Sequence, residues 1–107
     1  MPKKTRAHEQ SVIDQLNDDD YAIAYLNAAI DEANEADDPR GILLALRRIA
    51  EAKGIGMTKL AKATEVNRQG MYKILSEQGN PEFLTLFMLF KALGLSFQVK
   101  KFEQHSQ

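Results

Sequence analysis

Five side chains with charged or hydrogen-bonding ends fall within a nine-residue stretch: Arg68, Gln69, Tyr72, Lys73 and Ser76. On a helix turning about 100° per residue, Gln69, Tyr72, Lys73 and Ser76 share one arc, with Arg68 at its edge. No carboxylate lies among them. That set suits the major groove of duplex DNA, where glutamine bonds adenine bidentately and arginine or lysine bonds guanine. Tyr72 could bond a phosphate, pack on a thymine methyl, or simply cover the edge of a core. Thr58 and Asn67 stand where two short helices are expected to begin, and helix N-termini hold phosphates. Lys59 and Lys62 either add non-specific attraction to a polyanion or are ordinary solvated lysines.

Other chemistries are poorly supplied. The chain has no cysteine, which removes disulfides, thiolate metal ligands and cysteine nucleophiles. Its two histidines, His8 and His105, stand near opposite ends, so neither a histidine metal centre nor a Ser–His–Asp arrangement is expected. Carboxylates are plentiful, yet no pair sits on an apolar, pocket-forming background that would tune an acid and a base. The expectation is a protein that is not an enzyme, with no cofactor and no metal. No apolar run approaches the roughly 20 residues of a membrane helix. The start, Met1-Pro2-Lys3-Lys4, is basic but leads into polar residues and not into a signal-peptide core. A cytoplasmic protein without membrane contact follows.

The net charge of −1 conceals a division. Residues 1–38 hold three basic and ten acidic residues, whereas residues 39–107 hold eleven basic and five acidic ones. Between Arg40 and Lys73 the only acids are Glu51 and Glu65. This is either two solvated faces of one globule or two partner surfaces, a basic one for a polyanion and an acidic one for a basic partner.

The elements that must position these residues can be read from periodicity and caps. At 107 residues the chain fits one domain, and 44% hydrophobic residues suffice for a core. Residues 1–17 read as a flexible arm, with at most a short turn around Ser11 to Leu16. Asp18-Asp19-Asp20 caps a helix whose apolar side is Ala22, Ile23, Leu26, Ala29, Ile30 and Ala33. Asp38-Pro39 starts a second helix, with the aspartate as cap, a stripe of Ile42, Leu43, Leu46, Ile49 and Ala50, and an end at Gly54. Thr58 caps a third. Asn67 opens a fourth, whose inward face is Met71, Ile74 and Leu75. Gly70 inside it is costly, about 1 kcal/mol against alanine, and marks close backbone approach to another helix or to DNA. Asn80-Pro81 launches a fifth helix that ends at Gly94. Leu95 to Phe102 alternates as a strand would, and residues 103–107 read as a disordered tail. The expected architecture is all-α, five helices and a short C-terminal β-strand, with the functional domain at residues 18–102.

The fifth helix is apolar nearly all round. Phe83, Leu86, Phe87, Phe90 and Leu93 make one stripe, while Leu84, Met88 and Leu89 face elsewhere. Either it is the central helix of the bundle, or Leu84, Met88 and Leu89 form a two-fold dimer interface. The dimer would set two recognition helices about 34–36 Å apart on a palindromic operator.

Residues 57–75 resemble the Xre/Cro-type helix-turn-helix, with Leu60-Ala61 and Val66 in the expected places and Glu65 where that family usually has glycine. Arg68-Gln69-Gly70-Met71-Tyr72-Lys73-Ile74-Leu75-Ser76, followed by Gly79-Asn80-Pro81-Glu82-Phe83, closely resembles the HigA-like addiction-module antidotes. Tyr25-Leu26-Asn27-Ala28-Ala29 and Leu93-Gly94-Leu95 extend the similarity over about residues 20–100. The resemblance implies a lambda-repressor-like fold and the antitoxin of a type II toxin–antitoxin module. Such a protein neutralises a small, basic RelE/HigB-like ribonuclease toxin and represses its own operon. The acidic stretch from Glu9 to Asp38 agrees, since it could steer toward a basic nuclease. The alternatives are a stand-alone prophage-type repressor without a toxin, and a helical interaction module that has lost DNA binding.

Overall fold

The structure, a computed structural model, describes residues 6–76 and 78–103, with side chains from Gln10 onward. Residues 1–5 of the expected arm, and the expected tail beyond Glu103, lie outside it. Six helices follow in order: α1 (Arg6–Gln15), α2 (Asp19–Ala36), α3 (Arg40–Ala52), α4 (Met57–Thr64), α5 (Arg68–Ile74) and α6 (Phe83–Ala92). The all-α expectation stands, with one helix more than the five expected.

That extra helix is α1, in the segment read as an arm. Its only apolar side chains from Gln10 onward are Val12 and Ile13, with Leu16 immediately after it. The Leu16 amide donates to the Val12 carbonyl at 3.0 Å, and Leu16 is completely buried. Such a short stripe is a weak signal by itself. It suffices here because α3 lies alongside to receive it, and tertiary packing supplies most of a short helix's stability.

In α2, Asp18 is the N-cap and Asp19 and Asp20 occupy the first turn, where carboxylates complement the helix dipole. Ala22 and Leu26 are buried against α3, whereas Ile23, expected in the same stripe, is 46% exposed. Asp37 ends the helix in the left-handed region at φ 54°, and the Asp38 amide donates back to the Ala33 carbonyl. Across the bundle, the Lys53 ammonium pairs with Asp19 at 2.6 Å and ties the end of α3 to the start of α2.

α3 carries the densest core face: Leu43, Ala45, Leu46, Ile49 and Ala50 are all buried. Pro39, not Asp38, is its N-cap, yet the Asp38 carboxylate still serves the helix start. It accepts from the Arg40 backbone amide at 3.1 Å and from the Arg40 guanidinium at 2.7 Å. These bonds hold the Asp38 carboxyl down at about 2, below its ordinary 3.8. Gly54, at φ 70°, turns the chain out of α3, and the Ile55 amide closes that turn on the Ala50 carbonyl.

The C-terminal strand is not borne out. Among the described residues there is none, and Leu95 to Phe102 carries no regular structure. The alternation is nonetheless put to use. Leu95 packs against the core, and Phe97 stacks on Phe90 with ring centroids 4.3 Å apart. A strand needs a second one to take its N–H and C=O groups, and the described chain offers no other extended segment as a neighbour.

Candidate nucleic-acid interface

α4 and α5 pack on each other, and α4 also packs on α6. Leu60 and Ala61 on α4, and Met71 and Leu75 at α5, are buried between them and the core. The small Ala61 allows close approach. Thr64 is the one buried polar residue among the described residues, and its hydroxyl is satisfied by donating to the Leu60 carbonyl at 2.8 Å.

The turn between the helices is built residue by residue. Glu65 takes the left-handed conformation, φ 60° and ψ 32°, and its amide donates to the Ala61 carbonyl. Val66 follows half-buried and packs against the core. Asn67 caps α5, its Oδ1 accepting from the Gly70 amide at 2.6 Å. Gly70 is explained by the same contacts. A Cβ there would stand 2.8 Å from Val66 Cγ1 and 3.1 Å from Asn67 Oδ1. Within the chain, the close approach read from the sequence is to the turn itself and not to another helix.

This frame turns Arg68, Gln69, Tyr72 and Lys73 outward, all exposed, with Tyr72 keeping 42% of its surface. Lys59 and Lys62 on α4 are exposed as well. Thr58 is exposed but does not cap α4. Gly56 holds that position without a side-chain bond, and Thr58 is the second residue of the helix. Asn67 does cap, so its side-chain oxygen is engaged inside the protein. Ser76 is half-buried, and its hydroxyl donates to the Lys73 carbonyl at 2.6 Å while accepting from the Gln78 amide at 3.3 Å. Its visible work is to close the end of α5.

One residue on this face was not singled out from the sequence. Arg47, on α3, brings its guanidinium carbon to 5.8 Å from the centre of the Tyr72 ring. Arg68 approaches the same ring at 5.7 Å. The available signal was its membership of the acid-poor stretch from Arg40 to Lys73. Its spacing from Glu51, one helical turn on, would instead suggest an ion pair within α3, and that pair does not form. The neighbouring Arg48 goes elsewhere, donating to the Tyr25 hydroxyl at 2.8 Å.

The residues expected at a dimer interface are split by the fold. Leu89 is fully buried in the chain's own core, because α6 turns it toward the other helices. Leu84 is 61% exposed and Met88 is half-buried. Beside Leu84, Phe83 and Phe87 are exposed and stack with Phe97 at 5.6 and 6.1 Å. On α2, Asp19, Asp20, Asp31, Glu32 and Glu35 give the surface an acidic face. No described helix is long and apolar enough to cross a membrane.

Residues 6–101 match a family model described as "Probable addiction module antidote protein". A protein of Haemophilus influenzae, itself described only as uncharacterized, is 38% identical over 90 residues, covering 84% of this chain and 87% of its own length. No solved structure matches the chain. The match spans every helix of the fold, α1 included, and the chain belongs to the family of probable addiction module antidote proteins.

Proposed function

We propose that the chain is the antitoxin of a type II toxin–antitoxin module, neutralising a small, basic RelE/HigB-like ribonuclease and repressing its own operon through helix-turn-helix DNA binding. The observation that carries the DNA-binding half is the outward arc of α5. Arg68, Gln69, Tyr72 and Lys73 are exposed together, with no carboxylate on the arc, on a helix whose other side is locked into the core. In this reading α5 enters the major groove, Gln69 reads adenine, and Arg68 and Lys73 read guanine or hold phosphates. Lys59, Lys62 and Thr58 on α4 lie along the backbone, and the caps at Asn67 and Ser76 fix the pitch of α5. Two copies joined through Leu84, Met88 and their aromatic neighbours on α6 would present two such helices to a palindrome.

The antidote half follows from the family, and the acidic face of α2 is the surface that fits a basic toxin. Replacing Arg68, Gln69 and Lys73 together with alanine tests the DNA reading. These side chains are exposed, so the triple variant should keep its fold by circular dichroism while losing specific binding to the DNA upstream of its gene. A folded triple variant that shifts that DNA as the wild type does would overturn the assignment of α5. Toxin neutralisation by the same variant should remain, since its charges lie away from α2.

A further inference from the structure

We infer that Arg47, on α3 and outside the two-helix unit, is a phosphate-binding residue of the DNA interface, held in place by the Tyr72 ring. The inference rests on the DNA-binding reading above. Arg47 and Arg68 arrive from different helices, yet both guanidinium groups lie within cation–π distance of one ring, at 5.8 and 5.7 Å. Two like charges drawn to one platform repel each other. Among the described residues no carboxylate stands within ion-pair distance of either one. Asp38, Asp19 and Asp31 pair instead with Arg40, Lys53 and Lys100.

A guanidinium carries five N–H donors in a rigid fork that matches phosphate geometry. The ring face restricts the motion of both forks without using any of those donors, which leaves them free for an anion. The anion that satisfies two forks at an edge of a major-groove helix is the sugar–phosphate backbone of the duplex. Tyr72 is thereby a positioning residue for Arg47. α3, whose other side is the core of the protein, fixes the angle at which α5 meets the groove. Arg47 would set register and orientation without reading sequence.

The test measures binding of the full chain by fluorescence anisotropy across a salt series. The probes are a duplex of the DNA upstream of its own gene and a scrambled duplex of equal length. Arg47→Gln keeps most of the half-buried stem and removes the charge, so its fold is expected to survive. Each phosphate contact contributes about 0.9 to the slope of log affinity against log salt. R47Q should therefore lower that slope by about 0.9 and lose roughly tenfold in affinity on both duplexes alike, as a backbone contact does. R47K should keep the slope and lose part of the affinity, having charge without a fork. Y72L should lower the slope at least as far as R47Q does, because the ring holds Arg68 as well as Arg47, and a Y72L slope equal to that of the wild type would overturn the role given to the ring. R47Q binding both duplexes with wild-type affinity and slope would overturn the inference alone. A loss confined to the upstream duplex would also overturn it, because that would make Arg47 a base reader. Wild-type chain that binds neither duplex would overturn the DNA-binding reading and this inference with it.

Discussion

Glu65 stands in the left-handed region at φ 60°, where a side chain is strained. A non-glycine residue in the left-handed region costs roughly 1–2 kcal/mol, and nothing about the glutamate side chain requires that conformation, since it is exposed. Glu65→Gly should therefore raise stability by about 0.5–1 kcal/mol after the extra freedom of the unfolded glycine is counted, measured by urea unfolding. Gly70→Ala should do the reverse. Alanine favours helix by about 1 kcal/mol, but its Cβ would collide with Val66 at 2.8 Å and crowd the Asn67 cap, for a net loss of about 1–2 kcal/mol. Asp38 gives a dependence on pH. Its folded carboxyl lies at about 2 against an ordinary 3.8, so its contribution is complete above pH 3.8 and is lost as pH falls toward about 2. Thermal melts of Asp38→Asn should show a flatter pH profile than wild type in that window, and equal profiles would dismiss the Arg40 bonds as a stabilising device.

At the scale of elements, what could be read from the sequence was what is locally encoded. The α4–turn–α5 unit is specified by its own residues: Ala61 for approach, Val66 as a plug, the Asn67 cap, and Met71 and Leu75 inward. The outward arc of α5 follows from that, which is why Arg68, Gln69, Tyr72 and Lys73 could be named in advance. What was missed depends on a partner element. α1 shows only a short apolar stripe until α3 receives Leu16, and Arg47 gains meaning only when α3 comes beside Tyr72. The strand pattern from Leu95 onward is spent on aromatic stacking because the described residues hold no second strand to pair with it. Leu16→Ala separates the docked helix from an arm. Loss of a fully buried leucine should cost about 2–4 kcal/mol in chemical unfolding, whereas an arm would give almost nothing.

Across the whole molecule, three surfaces of different chemistry share one core: the acidic face of α2, the basic face formed by α3 to α5, and the exposed aromatics of α6 with Phe97. An antidote that also represses needs two of these for a basic toxin and for DNA, and a two-fold dimer would use the third. Truncating residues 1–36 would not isolate the toxin surface, since it removes the buried Leu16, Ala22 and Leu26. Reversing charge on the exposed Asp20 and Glu32 leaves the core intact. The Asp20→Lys, Glu32→Lys variant should slow toxin association about tenfold at low salt, by stopped-flow, with DNA binding unchanged. The antidote role itself is tested most directly by purifying the tagged chain from its native cells, with stoichiometry read by mass spectrometry, and then expressing any partner alone. The account predicts a small basic protein near one-to-one that arrests growth by itself and is silenced by this chain. Recovery of the chain with DNA and no protein partner, or of a partner that is harmless alone, would contradict it.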